Sequence, residues 1–144
     1  MLSKTCVYAI KIMIFLVSAT EGTDRKLSVA EICEGIGSPQ PFTAKVLQRL
    51  TKGRLIDSSP GPGGGYFLRN RTTDYTVAEV MAALDEDYIL SACVLGFEEC
   101  SEANPCPLHY RFVTARAEMK AVFNDMTLSE IAESVRRGET TLLS

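Results

Sequence analysis

Apolar residues recur along this chain mostly at helical spacing. In the run Val7 to Ala19, Tyr8, Ile12, Phe15 and Ala19 follow one another at intervals of four, three and four, as on one buried helix face. Three segments carry a capping box, a Ser or Thr followed three residues later by Glu: Ser28–Glu31, Thr76–Glu79 and Thr127–Glu130. Each marks a helix start. After the first, Val29, Ile32, Cys33 and Ile36 form an apolar face, and Gly35, Gly37, Ser38 and Pro39 then break the helix. A second helix is expected from about Thr43 to Lys52, with Val46, Leu47 and Leu50 inward and Lys45, Gln48, Arg49 and Lys52 on the opposite face. Helix, short glycine-containing turn and basic helix make a helix-turn-helix. Arg54 to Ser58 reads as a strand, Gly61-Pro62-Gly63-Gly64-Gly65 as a turn and Tyr66 to Arg69 as the returning strand. This hairpin suits a wing laid against DNA, with a plain flexible hairpin tip as the alternative. It is not a phosphate loop: no Gly-Lys-Ser/Thr follows the glycines, and Tyr66 stands where a dinucleotide fingerprint needs glycine.

The later half carries a different pattern. Leu108, Phe112, Ala115, Met119, Val122 and Met126 are separated by 4, 3, 4, 3 and 4 residues, a seam of nearly three heptads. It predicts a helix packed along a partner helix. A regulator with one short reading helix per chain needs two-fold symmetry, which favours a homodimer through 108–126 over packing within its own domain.

Charge sharpens the division. The net charge of the 144 residues is -3, but residues 1–72 hold ten Lys/Arg against five Asp/Glu and residues 73–144 hold five against thirteen, balances of +5 and -8 that sum to -3. Residues 1–72 are therefore expected to be a DNA-binding region and residues 73–144 a cofactor and dimerisation region. The apolar run at 7–19 is too short to span a bilayer and contains Lys11. Lys11 also disfavours a signal peptide, although Lys4 precedes the run and Val17-Ser18-Ala19 loosely resembles a cleavage site. Five cysteines with uneven spacing do not form a disulfide framework. No membrane partner and a cytoplasmic location are expected.

Cys93, Cys100 and Cys106 follow a C-x6-C-x5-C spacing in a polar, loop-like stretch, and His109, the only histidine, follows as C-x2-H. Pro107 suits a first helical position, which would put Cys106 at the N-cap of the seam helix, where the helix dipole favours a thiolate. Thiolates with one imidazole suit zinc, an iron–sulfur cluster or Cu(I), although zinc sites generally use tighter cysteine pairs. Buried core cysteines and a metal-free thiol switch are the other readings. Cys6 and Cys33 read as structural, on buried helices. A single histidine leaves no base–nucleophile pair, so the protein is not expected to be an enzyme.

Taken together, several features resemble the IscR/NsrR-type (Rrf-type) family of bacterial winged-helix iron–sulfur transcriptional regulators. They are the Leu2-Ser3-Lys4 to Tyr8-Ala9 opening, Leu27 to Ile36, Arg49 with Leu50 to Ile56, and the wing from Gly61 to Tyr66. The Val77 to Leu84 helix, the cysteine loop with Cys106-Pro107-Leu108-His109, and Thr127-Leu128 complete them. The fold implied is mainly α, a winged helix-turn-helix with a two-stranded wing and a long C-terminal dimerisation helix. The resemblance also implies a homodimer carrying a [2Fe–2S] cluster on Cys93, Cys100 and Cys106, with double-stranded DNA as partner. The family's fourth ligand is a histidine after the third cysteine or an acidic residue from the partner's N-terminal helix. Here Tyr8 stands where such an acid would be and no Asp or Glu precedes Glu21, so His109 is the candidate. Candidate DNA-contacting residues are Ser28, Thr43, Lys45, Gln48, Arg49, Lys52, Gly63, Gly64, Tyr66 and Arg69, with Arg71 beside the last. Ala44 and Pro60 depart from residues that some relatives use at the recognition helix and before the wing, so the operator does not carry over. The expected function is regulation of transcription by a cluster that senses redox state, nitric oxide or iron supply. The alternatives are a cluster-free regulator sensing through thiols or a metabolite, and a non-regulatory iron–sulfur carrier.

Overall fold

A computed structural model describes residues 2–143. The elements run α1 (Lys4–Thr20), α2 (Val29–Ile36), α3 (Gln40–Lys52), β1 (Ile56–Ser59), β2 (Gly65–Leu68), α4 (Val77–Ala83), a 3₁₀ turn (Asp87–Leu90), α5 (His109–Asp125) and α6 (Leu128–Arg136). All three capping boxes form, at α2, α4 and α6, with the Ser or Thr hydroxyl accepting from the Glu amide and the Glu carboxylate accepting in return. Gly37 closes α2 in the left-handed conformation (φ 63°), the conformation glycine adopts without strain.

The recognition helix α3 starts at Gln40, three residues before the expected Thr43. Pro39 is its N-cap and Pro41 lies in its first turn, where a missing N–H costs nothing. The first strand starts later than expected, at Ile56, because Arg54 adopts a left-handed φ of 62° at the end of α3. β1 and β2 pair antiparallel from Ile56–Leu68 to Ser59–Gly65. The wing is also anchored at its base. Leu27 and Tyr66 exchange backbone hydrogen bonds of 2.9 and 2.7 Å, an isolated bridge that joins the approach to α2 with β2. Gly65 (φ 138°) passes so close to Leu27 that a Cβ there would lie 2.7 Å from the Leu27 carbonyl oxygen.

The main core is built around α1. Ala9, Ile12, Met13, Ile14 and Leu16 pack with Leu27, Ile32 and Ile36, with Val46, Leu47 and Leu50 of α3, and with Leu55 and Ile56. Val80, Leu84, Leu128 and Ala132 join the same cluster. The charge boundary at residue 72 is therefore not a packing boundary: α4 and α6 close the core that the basic half begins. A second cluster of Cys6, Val77, Met81 and Leu90 extends it toward the cysteine segment. Cys6 is buried as expected, whereas Cys33 is only half-buried.

α5 differs from every other helix. None of its residues is buried. Leu108, Met119, Val122 and Met126 of the expected seam are exposed, and Phe112 is half-buried. Most of the seam is left uncovered by its own chain. α5 is also not the last helix, since α6 follows and returns onto α1.

Ile12→Ala, which removes a fully buried side chain at the centre of α1, is expected to lower unfolding free energy by about 2–5 kcal/mol in a urea titration followed by circular dichroism.

Candidate metal centre and nucleic-acid interface

The segment between α4 and α5 is a loop because glycine, proline and polar residues interrupt every periodicity. It is held mainly by its own backbone. Gly96 N–H donates to Cys93 C=O (3.0 Å), Ser101 and Asn104 exchange backbone bonds of 3.2 and 3.1 Å, and His109 N–H donates to Cys106 C=O (3.0 Å). Arg116 of α5 reaches back to the Ala92 carbonyl at 2.7 Å. These turns bring Cys93, Cys100 and Cys106 together, with all three sulfur atoms within 4.8 Å of one another. Cys93 Sγ and Cys106 Sγ are 3.6 Å apart, and His109 Nδ1 is 3.1 Å from Cys100 Sγ. The structure thus gathers the three cysteines and sets His109 beside Cys100, donors that lie between three and sixteen residues apart along the chain.

Two details differ from expectation. Leu108, not Cys106, is the N-cap of α5, so the sulfur does not sit on the helix dipole. Burial is the leading influence on the Cys106 thiol and pushes its pKa up, with the neighbouring Cys100 and Cys93 adding to the rise. Cys93 is the activated thiol instead. Hydrogen bonding from the Phe97 and Leu95 backbone brings its pKa down to about 7, the Phe97 contribution being the larger. The donors are also more sheltered than exposed thiolates, with Cys93 and Cys100 half-buried and Cys106 buried.

All three are free thiols. Three thiolates and an imidazole fit a soft metal or an iron–sulfur cluster. His109 Nε2 is buried without a hydrogen-bond partner, an unmet polar atom at the edge of this group.

A cationic face lies on α3. Lys45, Gln48 and Lys52 are exposed on α3 and, with Thr5, Phe42 and Arg49, line an open groove of about 450 Å³. Neither α1 nor α3 contains an acidic residue. Arg69, near Asp57 at 3.7 Å, and Gly63 at the wing tip are exposed, and Gly64 is half-buried where a Cβ would meet the Ser59 carbonyl oxygen at 2.3 Å. Ser28 is exposed, although its hydroxyl caps α2.

Three residues expected at this face are placed otherwise. Thr43 is fully buried and donates to the Pro39 carbonyl at 3.0 Å, so it shapes the first turn of α3 and is not presented to solvent. Tyr66 is half-buried against the main core. Arg49 turns toward Glu86 and the Leu84 carbonyl. Arg71, the alternative to Arg69, is held by Asp24 and the Thr23 carbonyl. Sequence reasoning missed Lys26, whose Nζ lies 2.9 Å from Ser59 Oγ and 5.2 Å from the Phe67 ring centroid. It also missed the aromatic–cation row on α1, where Lys4 lies over Phe42, Phe42 meets Tyr8 edge-on and Lys11 lies over Tyr8.

The profile of the Rrf2 family, described as an iron-dependent transcriptional regulator, matches residues 2–134. The chain belongs to this family. Its members bind DNA, and its relatives are regulators rather than enzymes. The HTH-type transcriptional regulator IscR of Yersinia pestis (bv. Antiqua, strain Angola) is 29% identical over 127 residues, covering 88% of this chain and 76% of that protein. Among solved structures, CymR (YrzC), the global cysteine regulator of B. subtilis, superposes with a TM-score of 0.75 at 22% identity, covering 92% of this chain and 96% of that one. T. potens IscR gives 0.72 at 19% identity, over 98% of this chain and 92% of that one. At such identities the two structures speak for the winged-helix fold alone. Among the described residues, no helix is long and apolar enough to cross a membrane.

In metal-free reduced protein, alkylation of Cys93 is expected to reach half its maximal rate at about pH 7, since the thiolate accumulates above the pKa. Cys106 is expected to react only above the ordinary thiol range, because its pKa is raised. Site-resolved mass spectrometry across a pH series reads both, and reaction of Cys106 before Cys93 contradicts this order.

Proposed function

We propose that this chain is a homodimeric regulator of transcription whose grip on double-stranded DNA answers to a [2Fe–2S] cluster held by Cys93, Cys100, Cys106 and His109. The observation that carries this reading is the convergence of three free thiols and one imidazole at the foot of an exposed apolar helix, on a body that also carries a cationic groove. When bound, the cluster supplies a centre reactive toward oxidants and nitric oxide and dependent on iron supply.

The chain's own residues divide the work. Lys45, Gln48 and Lys52 enter the major groove from α3, while Ser28, Gly63, Gly64 and Arg69 meet the backbone around it. Arg49, Tyr66 and Thr43 support these contacts from behind. The cysteine loop holds the centre out of bulk water through Cys106, and His109 couples it to the first turn of α5. Residues 1–72 thus serve DNA, and residues 73–144 serve the centre and the dimer.

The seam through 108–126 pairs two copies. An apolar hollow of about 300 Å³ between Tyr88, Ile89, Phe112 and Met119 opens beside Cys93, so the surface that a second copy covers adjoins the thiols. This adjacency gives loss of the centre a direct route to the dimer. A second reading, a thiol switch without a cluster, is favoured by the 3.6 Å separation of Cys93 and Cys106 sulfurs. A non-regulatory carrier finds no use for the cationic groove.

Protein purified without oxygen is expected to be coloured and to contain iron and acid-labile sulfide. Cys93→Ala, Cys100→Ala and Cys106→Ala are each expected to lose the visible absorption. Colourless wild type that stays so after reconstitution excludes the cluster and leaves the thiol switch. Val122→Asp, which places a charge at an exposed position in the C-terminal half of the seam, is expected to halve the mass seen by light scattering. An unchanged dimer mass would place the interface elsewhere.

A further inference from the structure

Arg49 shares the outer row of α3 with Lys45, Gln48 and Lys52 and lines the same open groove, yet its guanidinium is already engaged by the chain's own segment after α4. One nitrogen lies 2.9 Å from Glu86 Oε1, and the other donates to the Leu84 carbonyl. The Glu86 side chain is only 11% exposed. Such a carboxylate is held out of water and depends on its partner. The other paired arginines of the first half, Arg25, Arg69 and Arg71, face carboxylates at least 41% exposed, where ion pairs hold little.

Backbone geometry converges on the same place. Arg54 (φ 62°) and Asp85 (φ 55°) are the two non-glycine residues with left-handed φ among those described, and they lie on the two sides of this joint. A Cβ on Gly53 would stand 2.6 Å from the Ala83 carbonyl oxygen, so the ends of α3 and α4 approach more closely than a side chain permits. The Asp85 and Glu86 amides donate to Ala82 and Met81 carbonyls at 3.0 and 2.9 Å, fixing the turn that presents Glu86. From Glu86 the chain passes through the 3₁₀ turn Asp87–Leu90, anchored by buried Leu90, and reaches Cys93.

We propose that Arg49 is a positioning residue: through Glu86 and the Leu84 carbonyl it locks recognition helix α3 to the segment that runs into the cysteine loop, and it does not contact DNA. Glu86 lies seven residues before Cys93, so this joint ties the approach to the thiols directly to the reading helix, and the two move as one only while it holds. For its affinity readout the inference rests on the DNA-binding reading above; its second readout is independent of DNA.

Full-length wild type, Glu86→Gln, Arg49→Lys and Arg49→Gln are compared on the duplex that wild type selects from a random-sequence pool, over a salt series. Glu86→Gln leaves Arg49 charged and frees it, and is expected to weaken binding by about tenfold. Arg49→Lys is expected to weaken it as much, because an ammonium does not reproduce the fork that spans carboxylate and carbonyl. The logarithmic salt slope is expected to stay at the wild-type value in all three. Suppose instead that Glu86→Gln binds at least as tightly as wild type, Arg49→Lys matches wild type, and Arg49→Gln loses about 0.9 of slope. Arg49 is then a phosphate contact and the inference is overturned. Amide hydrogen exchange of residues 51–54 is measured on the same proteins without DNA, and faster exchange in Glu86→Gln and Arg49→Lys is expected. Unchanged protection overturns the joint. Failure of wild type to select any duplex sinks the DNA-binding reading alone and leaves the exchange result to decide.

Discussion

The burial of α1 is the constraint on which the rest of the structure depends. Between Ser3 and Glu21 the only charged residues are Lys4 and Lys11, and the helix packs against α2, α3, α4, α6 and β2. Such a helix has no stable position except inside other elements, and the elements that cover it are fixed relative to one another by doing so. The recognition helix is held from behind by Val46, Leu47 and Leu50 against this surface, and α6 closes it from the far side through Leu128 and Ala132. The winged-helix body and the segment after the wing are therefore one packed unit, although their net charges are opposite.

What this unit leaves free follows from the same constraint. α5 offers the core only Phe123, at the margin of the second cluster; Phe112 is half-buried, and Val113, Met119 and Val122 are left exposed. The cysteine loop lies between a fixed point, Leu90 in that cluster, and this uncovered helix. Few side chains hold it, and most of its hydrogen bonds are short-range backbone turns. Regions of that kind open locally at lower cost than a packed core. Three cysteines on such a loop, with His109 at the start of α5, can shift without disturbing α1, and the loop is tied down by Arg116 of α5 at Ala92 and by Leu90 in the second cluster.

Local signals were legible in the sequence and distant ones were not. The capping boxes at Ser28, Thr76 and Thr127 act within four residues, and each helix begins where they stand. The wing and the gathering of three cysteines were legible because glycine turns and cysteine–histidine spacing are local chemistry. Boundaries failed where backbone strain or proline intervened, as at Arg54 before β1 and Pro39 before α3. The N-cap expected of Cys106 failed because α5 begins at His109, after two turn residues. The helical face of Arg49 was correctly periodic, but periodicity says which residues share a face and nothing of a carboxylate 37 positions away. Similarly, the charge boundary at residue 72 was real as electrostatics and silent about packing, since a core is assembled from apolar residues on both sides of it.

That distinction also separates the two kinds of cation in the basic half. Of its five arginines, Arg25, Arg49, Arg69 and Arg71 have carboxylate neighbours, and Arg54 has none among the described residues. None of Lys4, Lys11, Lys26, Lys45 and Lys52 has one within ion-pair distance among the described residues. The planar guanidinium fork suits fixed geometry, whereas an ammonium on a flexible stem is a mobile point charge. The structure pairs most of these arginines with its own carboxylates, tightly only at Arg49, and leaves Lys4, Lys45 and Lys52 exposed. On such a surface the charges left free are chiefly ammonium groups, while the orientation of α3 is set by its packing and ion pair within the chain.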